Sequence, residues 1–427
     1  MRLNLTLAFA MIATMLCSCG NRPSGTVQEA RQLPELMQTV PSDALAVLDF
    51  SRVDKGMRMQ LDSTSAISRL NLRDFRSSRM MLSYVYMGKL VPLLAIEAGR
   101  AGADTSSAVR SLLGQADTCG VFSRFLAGGV EGGRHSIVLL STSEVLIPSV
   151  ERHLESGASI IDAPRFSEAL AVTGGRTDHI YFRNAGLDRT LPRDYLSRYL
   201  PRRQMSLFLQ KAADWMVVNA ADGPEKLLVT PVFSDTYFQY TRFLQDVGTG
   251  ESRLLPVLPA DTEFVIDLVV GKDFRGSYED YLDACVRLDA YRAGLAELKN
   301  QSGKSPLTWE KELKVKEVAV VNWNNRKVVL VRPDKAPKAA GTDVNPYQGF
   351  PAVLYGSAFA LDNDRYAGVA GKWIVSGSEP DVEAFLQASA FLSESRWPSK
   401  DLKFVVYGPG MIFSCSGRGM FMNLNKN

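Results

Sequence analysis

Short apolar runs separated by turn residues recur along the chain, and several recur in nearly the same words. Residues 40–50 read VPSDALAVLDF and residues 258–268 read LPADTEFVIDL. Each is a run of β-branched and aliphatic residues behind a Pro-x-Asp turn, which predicts a buried strand with Asp43 and Asp261 in the turn. SYVYMGKLVPLLAIEA predicts a hairpin turning near Met87-Gly88. EVAVVNWNNRKVVLVR predicts another at Asn324-Asn325, a pair suited to positive φ. Three-strand meanders are expected in the stretch from Ser206 and in that from Leu402.

Helical periodicity is clearest in two places. In SEPDVEAFLQASAFL, Ser378 suits the N-cap, Pro380 the first turn, and Glu379 and Asp381 the positive end of the dipole. Val382, Phe385, Leu386 and Ala390 then share a face, as Val150, His153 and Leu154 do in the matching segment from Pro148. SYEDYLDACVRLDAYRAGLAELKNQSG reads as a helix with a capping-box-like start at Ser277 and Asp280 and a stop at Gly303.

These pieces occur in the same order twice. LLSTSE from Leu139 matches IVSGSE from Ile374, PSVERHL from Pro148 matches PDVEAFL from Pro380, and DHIYFRNAG from Asp178 loosely matches DLKFVVYGPG from Asp401. A true repeat must agree in several places and in order. Each copy reads strand, helix, hairpin, strand, capped helix, strands. The expected fold is therefore α+β, with two related halves, each an antiparallel-rich sheet with helices packed on one face. The boundary is placed at 250–256, giving a first repeat over 40–250 and a second over 256–427, either as two domains or as halves of one sheet.

The amino terminus carries the most specific motif. Arg2 precedes an uncharged run from Leu3 to Leu16, shorter than the roughly 20 residues that span a bilayer, which is the pattern of a signal peptide. Leu16-Cys17-Ser18-Cys19 resembles the lipobox of bacterial lipoproteins. That resemblance implies removal of residues 1–18 and a diacylglycerol thioether on Cys19, usually with a third acyl chain such as palmitate on the new amino group. Two or more chains hold a protein stably on a membrane. Residues 19–39 would then be anchor and tether. No Asp follows Cys19 and no acidic cluster comes after it, so the expected address is the outer membrane, facing the periplasm. The lipobox and the Pro-x-Asp strand starts together resemble duplicated α+β envelope lipoproteins of unknown function, a likeness that carries no catalytic residues.

Composition narrows the class further. The chain has 427 residues, 46% hydrophobic and 22% charged, as globular proteins do, and its formal charge of +3 is too weak to imply a nucleic-acid partner. Beyond the anchor lie Cys119, Cys285 and Cys415, an odd number, so at least one stays unpaired within the monomer.

No cofactor or metal is expected. His135, His153 and His179 lie outside any H-E-x-x-H or C-x-x-C setting, and no G-x-S-x-G elbow, Walker loop or G-x-G-x-x-G occurs. GGVEGG from Gly128 lacks the lysine and helix of a phosphate loop. Arg189, Arg193, Arg198, Arg202 and Arg203 crowd a segment without counterpart in the second copy. Guanidinium groups at that density could grip lipid phosphates, anionic glycans or an acidic envelope protein. FSDTYFQYTRFLQDVG, rich in Tyr and Phe, fits a core-facing helix better than a sugar platform. The sequence thus leans away from an enzyme and toward a lipid-anchored binding or scaffolding protein. A hydrolase of glycan or peptidoglycan and a lipid or envelope-assembly factor are the alternatives.

Overall fold

The computed structural model describes residues 35–54, 66–100, 107–127, 135–174, 176–184, 213–219, 227–233, 239–335, 337, 341–346, 349–361, 363–394, 397–408, 411–417 and 419–424. The described residues form two compact units, the first ending at Val232 and the second beginning at Phe233. This division precedes the 250–256 boundary read from the sequence. The helix at Tyr240–Asp246 buries Phe243 against Phe274, Tyr278 and Tyr281, so the chain joins the second unit before the second strand phrase begins.

The first unit contains α1 (Glu35–Gln38), β1 (Ala46–Phe50), β2 (Met80–Tyr86), β3 (Leu90–Arg100), α2 (Ser107–Thr118), β4 (Phe122–Leu126) and β5 (His135–Ser141). It continues with α3 (Leu146–Ser156), α4 (Phe166–Thr173), β6 (His179–Arg183), β7 (Trp215–Asn219) and β8 (Leu227–Val232). All pairings are antiparallel, in the order β4-β5-β3-β2-β1-β6-β7-β8.

The second unit contains α5 (Tyr240–Asp246), β9 (Thr262–Val269), α6 (Phe274–Ala284), α7 (Leu288–Ser302), α8 (Pro306–Leu313), β10 (Glu317–Trp323), β11 (Arg326–Arg332) and β12 (Gly341–Pro346). Then come α9 (Pro351–Tyr355), β13 (Tyr366–Ala370), β14 (Trp373–Gly377), α10 (Glu379–Leu386), β15 (Leu402–Gly408), β16 (Met411–Ser416) and β17 (Gly419–Leu424). Its order is β12-β13-β14-β11-β10-β9-β15-β16-β17, again antiparallel throughout. Strand for strand, this repeats the first unit with β12 added outside β13. The expected α+β fold of two related halves is what the chain adopts.

Local chemistry explains the elements. Asn324 and Asn325 sit at φ 44° and 59°, and Trp323 faces Arg326, so β10 and β11 join through a two-residue turn whose twist suits the strands. Gly88, at φ 78°, lets β2 turn into β3 and leaves Met87 at the tip. β1 is buried throughout and β9 everywhere but at Glu263, with Val47 and Val265 in the respective cores. In the first unit Phe166 stacks edge-on against Trp215 and lies 5.3 Å from Tyr181, tying α4 to β6 and β7.

Ser378 caps α10 as the sequence predicts, its hydroxyl accepting from the Asp381 N–H, and Val382 and Phe385 are buried. The helix stops at Leu386, so Ala390 lies beyond it. Ser378→Ala is expected to cost about 1 kcal/mol in urea unfolding of the full chain.

Three details differ from the sequence reading. The stretch from Ser277 forms two helices, because the chain breaks at Val286, which sits at φ 56° and is 95% exposed. The first of them begins at Phe274, leaving Ser277 inside the helix, while Gly303 ends the second at φ 72° as expected. Strand pairing matches Tyr181 with Tyr407, three places off the loose match of Asp178 with Asp401, because Val47 faces Tyr181 and Val265 faces Tyr407.

Candidate functional site

Charged groups lie inside both sheets at matched positions. Asp49 on β1 and Asp267 on β9 occupy the same place in the repeated phrase, and both are buried among apolar neighbours. A carboxylate there must be paired or protonated. In the first unit, Arg79 grips Asp49 with two nitrogens, Nη2 lying 2.9 Å from Oδ2 and Nε 3.2 Å from Oδ1. His179 faces Asp49 across the β1–β6 ladder, with its Nδ1 2.9 Å from the Thr177 carbonyl. Burial pushes the Asp49 carboxyl above its ordinary range despite Arg79, and holds His179 below its own. Nearby, Asp178 accepts from the Ser51 N–H and hydroxyl.

In the second unit the charges change places. By strand register Glu317 stands where the first unit has Arg79, and Arg332 where it has Glu97. Asp267 and Glu317 are therefore diagonal neighbours on adjacent strands. Arg332 Nε lies 2.6 Å from Glu317 Oε2, and Arg332 Nη2 donates to the Glu251 carbonyl. Glu317 also accepts from the Arg253 N–H, and Asp267 Oδ2 accepts from the Ser252 hydroxyl at 2.7 Å. Trp397 donates to that hydroxyl, and Arg332 packs over the Trp373 ring at 5.9 Å. The cluster thus pins residues 251–253 across the sheet. Its bonds are made to the protein's own side chains and backbone, as a structural fastening requires.

A hollow of about 430 Å³ opens at the start of α6, beside Arg275, Glu310 and Lys314. Arg275 is already committed there, donating to Glu310, the Tyr291 hydroxyl and the Leu354 carbonyl while packing on Phe274, Tyr278 and Tyr355. It is a packing hub. Within FSDTYFQYTRFLQDVG the described helix spans only Tyr240–Asp246 and buries Phe243 and Leu244, with Val247 buried just beyond it and Phe233 outside it; Tyr237 and Phe238 lie outside the described residues.

One end of the first sheet is different in kind, because it offers apolar groups to solvent. Phe122 at the start of β4 is 42% exposed, Met87 at the β2–β3 turn 40%, and Val145 just before α3 58%. A chain of bonds links the first two. Phe122 faces Ser141, whose hydroxyl donates to the Pro92 carbonyl and accepts from the Ser143 N–H. The Ser143 hydroxyl in turn lies 4.0 Å from the Met87 sulfur. Further along β4, Arg124 pairs with Glu151 of α3 at 2.5 Å. Among the described residues β4 pairs with β5 alone, whereas its counterpart β13 is covered by β12.

Cys19 and the arginines Arg189, Arg193, Arg198, Arg202 and Arg203 lie outside the described residues, as does GGVEGG from Gly128. The histidines are dispersed: His135 lies 3.7 Å from Glu97, His179 sits beside Asp49, and His153 is half-buried on α3. No group of three or more His, Cys, Asp or Glu residues able to hold a metal occurs among the described residues. Neither Cys119 nor Cys285 is disulfide-bonded. Among the described residues no helix is long and apolar enough to cross a membrane.

The sequence reading missed the exposed apolar residues and the buried acids. A signal existed for the acids, since Asp49 and Asp267 recur at one position of the repeated phrase, each flanked by apolar residues. No protein-family model, curated protein or solved structure matches the chain.

Proposed function

We propose that the chain is a lipid-anchored cell-envelope protein, held by acylated Cys19 and serving as a non-enzymatic binding or scaffolding module. The observation that supports binding is Phe122, exposed on β4, which has no outer partner among the described residues, with Met87 and Val145 also exposed at the β2–β3 turn and before α3. A folded unit that buries β1 completely, yet leaves Phe122 exposed on an edge strand and Met87 and Val145 exposed at the ends of other elements, has a surface suited to another molecule. The buried charges support the same reading, because their bonds are spent on holding the fold. The anchor would keep this surface within reach of the membrane: a tether of about 20 residues extends at most roughly 65–70 Å.

Two measurements test the proposal. Cys19→Ala should move the protein from the membrane to the soluble fraction, and continued membrane attachment would refute the anchor. A photo-crosslinker at Met87 should yield discrete adducts with one envelope component in intact cells, lost when Phe122 is replaced by Lys. Adducts that survive that replacement would count against this surface.

A further inference from the structure

We infer that β4 is a strand-addition edge, and that its occupant is an extended segment of a different polypeptide lying antiparallel to Phe122–Leu126. This deepens the binding reading above and rests on it. The second copy of the fold already carries such a strand. Following the ladders outward from Asp49 and Asp267, Arg124 corresponds to Gly368 and Phe122 to Tyr366. On the β13 edge an extended strand is already in place: β12 sets Pro346 opposite Tyr366, Asn345 opposite Ala367 and Gly341 opposite Val369. The fold therefore accommodates a further antiparallel strand at this edge. In the second unit that strand comes from the chain itself, and in the first unit the described residues supply none.

The differences between the two edges fit an external strand. Gly368 leaves no room beside it, since a Cβ there would meet Leu386 of α10 at 2.6 Å. Its counterpart Arg124 carries a long side chain with 58% of its surface exposed, held by Glu151. Phe122 and Arg124 alternate along the strand, both exposed. Main-chain bonds would give such a complex its affinity, and alternate side chains its selectivity.

Charge decides against a second copy of this chain. Full antiparallel pairing of two β4 strands centres on Arg124 and sets it against its own twin, and like charges directly opposite destabilise a sheet. The matching partner segment carries an acidic residue opposite Arg124 and apolar residues toward Phe122.

The test uses the full mature chain and an end-blocked peptide of sequence Thr-Val-Thr-Val-Glu-Val-Thr-Val-Thr, with amide hydrogen exchange as the readout. The peptide should slow exchange within residues 122–126 by about tenfold or more. A version with alternate N-methylated amides, unable to complete a ladder, should give no slowing, and one with Lys for Glu should bind at least several-fold more weakly. Phe122→Lys, a change at an exposed site, should abolish the effect while leaving exchange elsewhere unaltered. Absence of slowing at β4 with about 1 mM peptide, a concentration that would populate even a weak complex, overturns strand addition, as does equal protection by the N-methylated peptide. Failure here alongside Met87 crosslinks in cells removes strand addition and leaves the binding reading; loss of both removes both.

Discussion

Replacing Arg332 by alanine should destabilise the second unit by about 3–5 kcal/mol, the cost of stripping the partner from a buried charge. Glu317 has no exposed side-chain surface, and Arg332 is the cation paired with it. The Arg253 N–H also bonds to Glu317, but a single amide cannot replace a guanidinium that supplies a 2.6 Å charge-assisted bond. The loss spreads further. Arg332 also fastens the Glu251 carbonyl and packs on Trp373, so residues 251–253 lose their hold on the sheet. Urea unfolding of the full chain, followed by tryptophan fluorescence, reads the change. Arg332→Lys keeps the charge but not the second directed bond to Glu251, and should fall between wild type and alanine. A loss below about 1 kcal/mol for alanine, the level of an exposed ion pair, would show that Glu317 finds solvent or another partner.

Legibility in the sequence followed the range of each interaction. The strand phrases at 40–50 and 258–268, the Asn324-Asn325 turn and the Ser378 cap were readable because their causes lie within a few neighbouring residues: an apolar run behind a Pro-x-Asp turn, positive φ and a hydroxyl three places before an N–H. Their repetition then fixed the two-halved architecture. The break at Val286 was hidden, because helical periodicity continues on both sides and only packing of the two helices demands the turn. β4 and β12 were also missed. FSRFL is too short to show alternation over several periods, and GTDVNP carries residues that ordinarily punctuate strands. Both are edge strands, defined by what they lie against. The exchange of charges between Arg79 and Glu317, and between Glu97 and Arg332, was illegible for a stronger reason: it appears only when strands far apart in the chain are set in register. The exposed apolar residues share that property, since Met87, Phe122 and Val145 come from three elements separated in the chain.

Stability should fall as pH rises above the ordinary carboxylate range, and Asp267→Asn should remove much of that fall. Asp267 and Glu317 face one another beside a single guanidinium. Burial first, and then the negative charge of Glu317, push the Asp267 carboxyl well above its usual range. Burial raises Glu317 as well, against the opposing pull of Arg332. Asp267 Oδ1 has no hydrogen-bond partner among the described residues, an orphan that one proton shared with Glu317 would satisfy. Because the folded values are raised, the folded chain holds a proton that the unfolded chain has released. The associated stability is complete below the unfolded value, near pH 4 for a carboxylate, and is lost as pH climbs through the raised folded values. Asp364, pushed up to about 6 by burial, and Asp49, also raised, act with the same sign. A difference measurement isolates the pair from them. Asparagine at 267 supplies its own N–H toward Glu317 and carries no charge at any pH, so Asp267→Asn should exceed wild type in stability by about 1–4 kcal/mol near pH 8. That advantage should shrink toward pH 4, where wild type is protonated. Urea midpoints for both proteins across this range provide the check. Parallel curves would mean that Asp267 and Glu317 hold no extra proton in the folded state, leaving the fastening of residues 251–253 to Arg332 and Ser252 alone.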